Sequence, residues 1–210
     1  MLRYLFFSLI VRPLVLIILG MNVRHRERLP KKGPAIIVAN HNSHLDTIVL
    51  MSLFPLKLLP KIRPVAALDY FLKNKFLSWF STNIIRIIPI QRKGLPDPAT
   101  IFLETKNWLA DNNIIILFPE GSRGEPEQRT HFKSGIARLV EQCPDIPLIP
   151  IFLHGLGKAL PKNDWVLVPF FCDIFIGEKL PWTGDKKIFI AQIEERMNSL
   201  SEEGQFSVWD

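Results

Sequence analysis

An α/β domain with a mostly parallel central sheet covered by helices is what this 210-residue chain predicts. Three observations point there. The runs AIIVA (Ala35–Ala39) and IIILF (Ile114–Phe118) have the length and composition of strands buried on both faces. Segments with helical spacing lie between the apolar runs, so strand and helix alternate. No internal repeat and no low-complexity linker divides the chain, so a single domain accounts for it.

The elements follow in order. Tyr4–Gly20 (YLFFSLIVRPLVLIILG) reads as a helix, apolar apart from Ser8 and Arg12 and broken by Pro13. A full span wants about 20 apolar residues, and an arginine in mid-segment costs roughly 2.5–3.5 kcal/mol on insertion. No small-residue cleavage site follows. The segment is therefore expected to lie in, or shallowly enter, a membrane leaflet in preference to crossing it. A buried core helix is the plain alternative. The basic run Arg24, His25, Arg26, Arg28, Lys31 and Lys32 would keep that end on the cytoplasmic side. After Gly33-Pro34 comes the strand Ala35–Ala39, then a helix capped by Ser43 and running to about Leu53.

Leu53–Phe80 interleaves Lys57, Lys61, Arg63, Lys73 and Lys75 with leucines, phenylalanines and Trp79, a mixture suited to a headgroup layer. Asn83–Ile90 is β-rich and reads as a strand. Asp97-Pro98 opens a helix with proline at its first position, continuing to about Asp111. The strand Ile114–Phe118, a helix from about Lys133 to Gln142 and a strand from Pro147 to Leu153 come next. Trp165–Phe171 and Ile174–Gly177 are further strand candidates, and Asp185–Leu200 is a charged amphipathic helix. The organisation is thus a membrane-associating segment (residues 1–30), a domain (31–200) and a loose tail (201–210).

Composition narrows the function. Hydrophobic residues at 48% against charged residues at 22% exclude wholesale disorder. Two cysteines, Cys143 and Cys172, without a CxxC spacing exclude a disulfide scaffold and a cysteine-built zinc site, and suit a reducing compartment. The net charge of +6 is unevenly spread: residues 1–93 carry 15 Lys or Arg against three acids, net +12, and the remainder is net −6. A basic half calls for a polyanion. No nucleic-acid recognition motif is present and mean hydropathy is positive at +0.16, so an anionic membrane surface is the expected partner and nucleic acid is not.

Two constellations carry chemistry. Asn40-His41-Asn42-Ser43-His44-Leu45-Asp46 falls where a buried strand ends and a helix begins, the edge at which open α/β sheets bind ligands. A turn there can bring the Asp46 carboxylate back onto the His41 imidazole, fixing its tautomer and raising its basicity. No GxSxG nucleophile accompanies them, so the pair would have to activate a hydroxyl on a substrate. Ser43 and Asp46 also match a capping box, which explains Asp46 without chemistry, and His41 with His44 could bind a metal, although no other histidine cluster supports that. Phe118-Pro119-Glu120-Gly121-Ser122-Arg123-Gly124 follows another buried strand. Its glycines admit a ligand close to the backbone, and Arg123 offers a fork of donors suited to phosphate. A turn with a Glu–Arg ion pair is the plain alternative. Arg92 and Lys133 would add cations to the same sheet edge.

Together these residues resemble the glycerolipid acyltransferase family, best known for the 1-acylglycerol-3-phosphate acyltransferases. Its NHxSxxD motif is matched by Asn40, His41, Ser43 and Asp46, and its FPEG[TS]R motif by Phe118, Pro119, Glu120, Gly121, Ser122 and Arg123. Ile88–Arg92 resembles its second motif, Ile146–Ile151 its proline-bearing fourth, and Phe132-Lys133-Ser134-Gly135 and Ile176-Gly177-Glu178 two further signatures. The resemblance covers about residues 30–180. It implies that His41 is a general base oriented by Asp46 and that Glu120, Gly121, Ser122 and Arg123 bind a glycerol phosphate, helped by Arg92 and Lys133. It further implies that Pro150 shapes the acyl side and that Asn40 and Ser43 belong to the site. The acyl donor would be a thioester of acyl carrier protein or coenzyme A, with no cofactor and no metal. The acceptor would be a lysophospholipid, 1-acylglycerol 3-phosphate first. Glycerol 3-phosphate, another lysophospholipid or a lyso-aminolipid would use the same chemistry. A non-catalytic lipid-binding protein and a metal hydrolase are rivals of other classes.

Overall fold

The computed structural model describes residues 1–67, 74–91, 101–124, 130–160 and 166–206. Seven strands form one sheet: β1 (Met21–Arg24), β2 (Ala35–Ala39), β3 (Ile62–Ala67), β4 (Ile88–Ile90), β5 (Ile114–Leu117), β6 (Leu148–His154) and β7 (Cys172–Ile176). Their order across the sheet is β1-β7-β6-β2-β5-β3-β4. Every pairing is parallel except β6 with β7. The apolar runs β2 and β5 are wholly buried and lie side by side at the centre, Val38 opposite Leu117. Because they run the same way, the residues that follow each of them leave the sheet at one edge.

Alternate side chains feed two cores. Ile37, Ile114, Ile116 and Ile149 pack on one face with the N-terminal helix and α2 (Asp46–Ser52). Ile36, Val38, Ile115 and Leu148 pack on the other with α4 (Leu103–Ala110), α5 (Gly135–Glu141) and α7 (Lys186–Glu203). The short helices α3 (Lys75–Phe80) and α6 (Leu156–Ala159) are the other α-helices among the described residues.

The N-terminal segment is buried along one face and exposed and apolar along the other. Helix α1 (Leu2–Leu5) runs on through π-helical stretches at Phe6–Val11 and Leu14–Ile18. Arg3, Phe7, Val11, Val15 and Leu19, four residues apart, are buried. At 3.6 residues per turn, a four-residue step drifts about 40° around the axis. The wider π turns cancel that drift and keep the stripe on the core. On the other face Leu2, Tyr4, Leu5, Leu9, Ile10, Leu16, Ile17 and Ile18 are exposed. Among the described residues no helix is long and apolar enough to cross a membrane. Arg3 donates to the carbonyls of Ile62 and Ile85, and burial, with the Arg86 and Arg63 charges adding to it, lowers its pKa to about 10.

Several elements differ from expectation, each for a local reason. Asn83–Ile90 is not one strand: a π-helical turn, Ser81–Ile85, occupies its first part and ends at Arg86 in the left-handed region, leaving only Ile88–Ile90 extended. Residues 166–171 form no strand, as Pro169 removes a ladder donor. Strand β1 escaped notice because it lies at the sheet's edge, where only alternate residues are shielded and no apolar run is needed. The expected start at Asp97-Pro98 lies outside the described residues; α4 itself begins at Leu103, with Phe102 at its N-cap. Helix α7 outruns its expected end, and Phe206 stacks on His154 and packs against Phe152 and Phe175, so this part of the tail is docked.

Helix α3 is capped by Asn74, whose side chain accepts from the amides of Phe76 and Leu77. Asn74→Ala is expected to cost about 1 kcal/mol, read as a lower urea midpoint at unchanged m-value. Leu77 and Phe80 of this helix face the cavity described next.

Candidate active site

Two loops leaving β2 and β5 meet at the carboxyl edge of the sheet. The first is anchored by Asn40, whose side chain donates to the Leu153 carbonyl at 2.8 Å and accepts from the Leu153 amide at 2.7 Å. The amide group imitates one more rung between β2 and β6, so the main chain is free to turn at His41. There Nδ1 of His41 lies 2.7 Å from Oδ2 of Asp46, a carboxylate only 1% exposed. The same oxygen accepts the backbone amides of Asn42 at 2.7 Å and Ser43 at 2.9 Å. Asp46 opens α2, whose N-cap is Leu45 and not the expected Ser43, and its bonds to the two amides of the preceding turn hold the carboxylate against the ring. With a proton on Nδ1, Nε2 is the basic nitrogen. Ser43 contributes structurally, its hydroxyl donating to Leu160 and accepting from Leu45.

The second loop clamps the first. Phe118 stacks on the His41 ring with centroids 4.0 Å apart. The His41 amide donates to Glu120 Oε1, and the Gly124 amide donates to the His41 carbonyl at 2.9 Å, so the histidine is tied at both ends. Glu120 stands elsewhere than expected. It is 2% exposed, holds the amide and hydroxyl of Thr130 with its other oxygen, and is not on the cavity wall. A buried carboxylate needs donors, and the backbone supplies them before any ligand arrives.

Burial pushes the Glu120 carboxyl above its usual range, and hydrogen bonds from His41 and Thr130 draw it partly back. The folded protein then holds that proton more tightly than the unfolded chain does. The stability this lends is complete below the ordinary value of 4.5 and is lost as pH rises through the raised folded value. Relative to Glu120→Gln, which has no such proton, the wild type is expected to lose stability as pH climbs from the acid side towards neutrality. Urea titrations across that range check the sign; a rising relative stability would contradict it.

His41, Gly121, Ser122 and Arg123 line one open cavity of about 710 Å³. Gly121 sits at φ +75°, and a Cβ there would fall 2.8 Å from Lys133 Nζ, so a side chain at 121 would be strained and would obstruct that lysine. Lys133 packs its side chain over Gly121 but is not itself on the cavity wall, whose cation among the lining residues is Arg123. The remaining walls are mostly apolar, from Phe6 of the N-terminal helix, Leu77, Phe80, Ile85 and Val65, with Thr47 and Ser81 among them. Arg92 lies outside the described residues. Pro150 is not at the cavity: it sits within β6 opposite Val38, its carbonyl accepting from Gly177 at 2.8 Å. Its place within the sheet, away from the cavity wall, is structural and differs from the expected acyl-side role. His44 is also on the cavity wall, where a guanidinium nitrogen of Arg123 meets its Nε2. With His41 facing Asp46 and His44 facing Arg123, the two imidazoles are not paired for a metal, and no group of three potential ligands occurs among the described residues.

Sequence reasoning missed Phe6, Thr130 and the stacking of Phe118 on His41. Phe118 was visible as a motif position. Thr130 carried no local signal, since only tertiary folding brings it to Glu120.

Comparison with known proteins gives a consistent picture. A probable 1-acyl-sn-glycerol-3-phosphate acyltransferase of Mycoplasma pneumoniae is 29% identical over 132 residues, 61% of this chain and 47% of that protein. Taffazin of Dictyostelium discoideum is 31% identical over 165 residues, 71% of this chain and 55% of that protein. The chain thus spans about half the length of these relatives. The crystal structure of the 1-acyl-sn-glycerophosphate acyltransferase PlsC from Thermotoga maritima superposes with a TM-score of 0.75 at 19% identity, over 99% of this chain and 80% of that one, and so shares the fold. The model of the acyltransferase family matches residues 20–154, which include both clamped loops, the dyad and the cationic end of the cavity. By that match the chain belongs to the acyltransferase family.

Proposed function

We propose that this protein moves a fatty acyl group from a thioester donor to the free hydroxyl of 1-acylglycerol 3-phosphate, giving phosphatidic acid. The observation that carries the reading is a carboxylate-held imidazole on the wall of a cavity that is cationic at one end and apolar at the other. Nε2 of His41 takes the proton of the glycerol hydroxyl as its oxygen attacks the thioester carbonyl. The tetrahedral intermediate collapses with cleavage of the carbon–sulfur bond, and the imidazolium returns the proton to the departing thiolate. Asp46 stabilises the imidazolium, and Arg123, with Lys133 behind Gly121, holds the phosphate. Glu120 is a positioning residue that fixes the backbone of His41. The acyl chains lie against Phe6, Leu77, Phe80 and Ile85.

The donor is the thioester of acyl carrier protein or coenzyme A, and no cofactor takes part. The protein works at the cytoplasmic face of a membrane, the exposed apolar side of residues 2–18 lying in the lipid surface beside the basic N-terminal half. Supporting this placement are that exposed face and the cavity wall built by the same helix. The test is to incubate the purified protein with lyso-acceptors and both thioesters and to identify the lipids by mass spectrometry. Phosphatidic acid as the main product supports the reading; acylation of only a phosphate-free acceptor overturns it.

A further inference from the structure

The loop before β7 presents an apolar ridge that the reaction does not use. Val166, Val168 and Phe171 are 71%, 50% and 81% exposed. Between them Leu167 and Phe170 pack against the core, so the loop is held with its other side chains outward. The Val168 amide bonds the Ala159 carbonyl, and the Cys172 amide bonds the Gly20 carbonyl, which pins the segment at its middle and at its C-terminal end. The ridge is not isolated. Phe171 lies over Gly20, where a Cβ would come within 2.7 Å of the ring, and Gly20 follows, just beyond its cap Leu19, the helix on which Leu16 and Ile17 are 73% and 80% exposed. The exposed apolar surface therefore continues from one element to the other.

We propose that residues 166–171 are a second membrane-contact element, entering the same lipid surface as the N-terminal helix and fixing the protein's tilt on it. The inference rests on the membrane placement proposed above. Charge favours an anionic bilayer as the occupant. No acid precedes Glu27, the Lys158 ammonium stands 5.6 Å from the Phe170 ring, and the neighbouring Asp173 carboxylate is engaged by Asn22. An irregular backbone cannot sit lipid-exposed in the hydrocarbon core. The loop thus enters only to headgroup depth, as amphipathic helices do, about 5–10 Å. Two contacts on separate elements resist rocking about the helix axis, which a single helix lying flat does not.

The test attaches an environment-sensitive fluorophore to Phe171→Cys in a Cys143→Ser background and adds vesicles of phosphatidylethanolamine and phosphatidylglycerol. Probes at Leu16→Cys and Ser199→Cys serve as references. A brighter, blue-shifted signal at 171 and at 16, with none at 199, is the expected result. A response at 16 alone overturns the loop's role and leaves the membrane placement standing. Silence at both overturns the placement itself, and a response at all three shows unspecific adsorption and overturns the loop proposal. In the unlabelled protein, Phe171→Asp is expected to weaken vesicle binding about 10–100-fold. It should leave turnover of water-soluble short-chain substrates unchanged; equal vesicle binding by this variant also overturns the proposal.

Discussion

Alanine at His41 is expected to lower kcat about 10²–10⁴-fold, the usual contribution of a well-placed general base. The fold should survive, since the backbone bonds to Glu120 and Gly124 do not involve the ring. Far-ultraviolet dichroism and the urea midpoint provide the control, and acyl transfer from a thioester to lysophosphatidic acid provides the readout. A pure, folded His41→Ala protein with wild-type turnover would falsify the base assignment. Asp46→Asn separates the roles further. Asparagine can still accept the Asn42 and Ser43 amides, so the loop is retained, but it cannot stabilise a charged imidazolium. Its loss should appear in kcat with little change in KM.

Arg123→Ala is expected to act on the acceptor. A hydrogen bond to a charged group contributes about 1.5–3 kcal/mol, which is roughly a 10–100-fold rise in KM for lysophosphatidic acid. The same variant should treat monoacylglycerol, which has no phosphate, as the wild type does. This comparison distinguishes a phosphate grip from a general disturbance of the site, because a disturbance would affect both acceptors alike. Equal losses on the two would remove Arg123 from the phosphate. Lys133, packed over neighbouring Gly121, is the nearby cation expected to account for residual selectivity in the variant.

The central sheet was legible because β2 and β5 are buried on both faces and must be apolar at every position. The dyad was legible for a different reason. A turn between strand end and helix start can bring Asp46 back onto His41, but the same residues match a capping box, and it was the resemblance to the NHxSxxD motif that favoured the dyad. What the sequence concealed depends on partners distant along the chain. The motif resemblance suggested a ligand contact for Glu120, yet the His41 amide, 79 positions away, claims it. The N-terminal stretch showed its hydrophobicity and not its docking, since a four-residue stripe matches neither the α period nor an all-round apolar span. Strand β1 had no apolar run to reveal it, being half exposed at the edge.

The side chain of Asn40 makes position 40 intolerant of its nearest relatives. Aspartate would set a negative oxygen against the Leu153 carbonyl where attraction is required, and leucine, of similar size, would silence both partners. Only a group that gives and takes at once can close β2 against β6 while releasing the main chain. The reactive histidine owes its place to that substitution of side chain for backbone: had pairing been carried on by peptide groups, residue 41 would be one more link in a strand, facing a neighbour instead of a substrate.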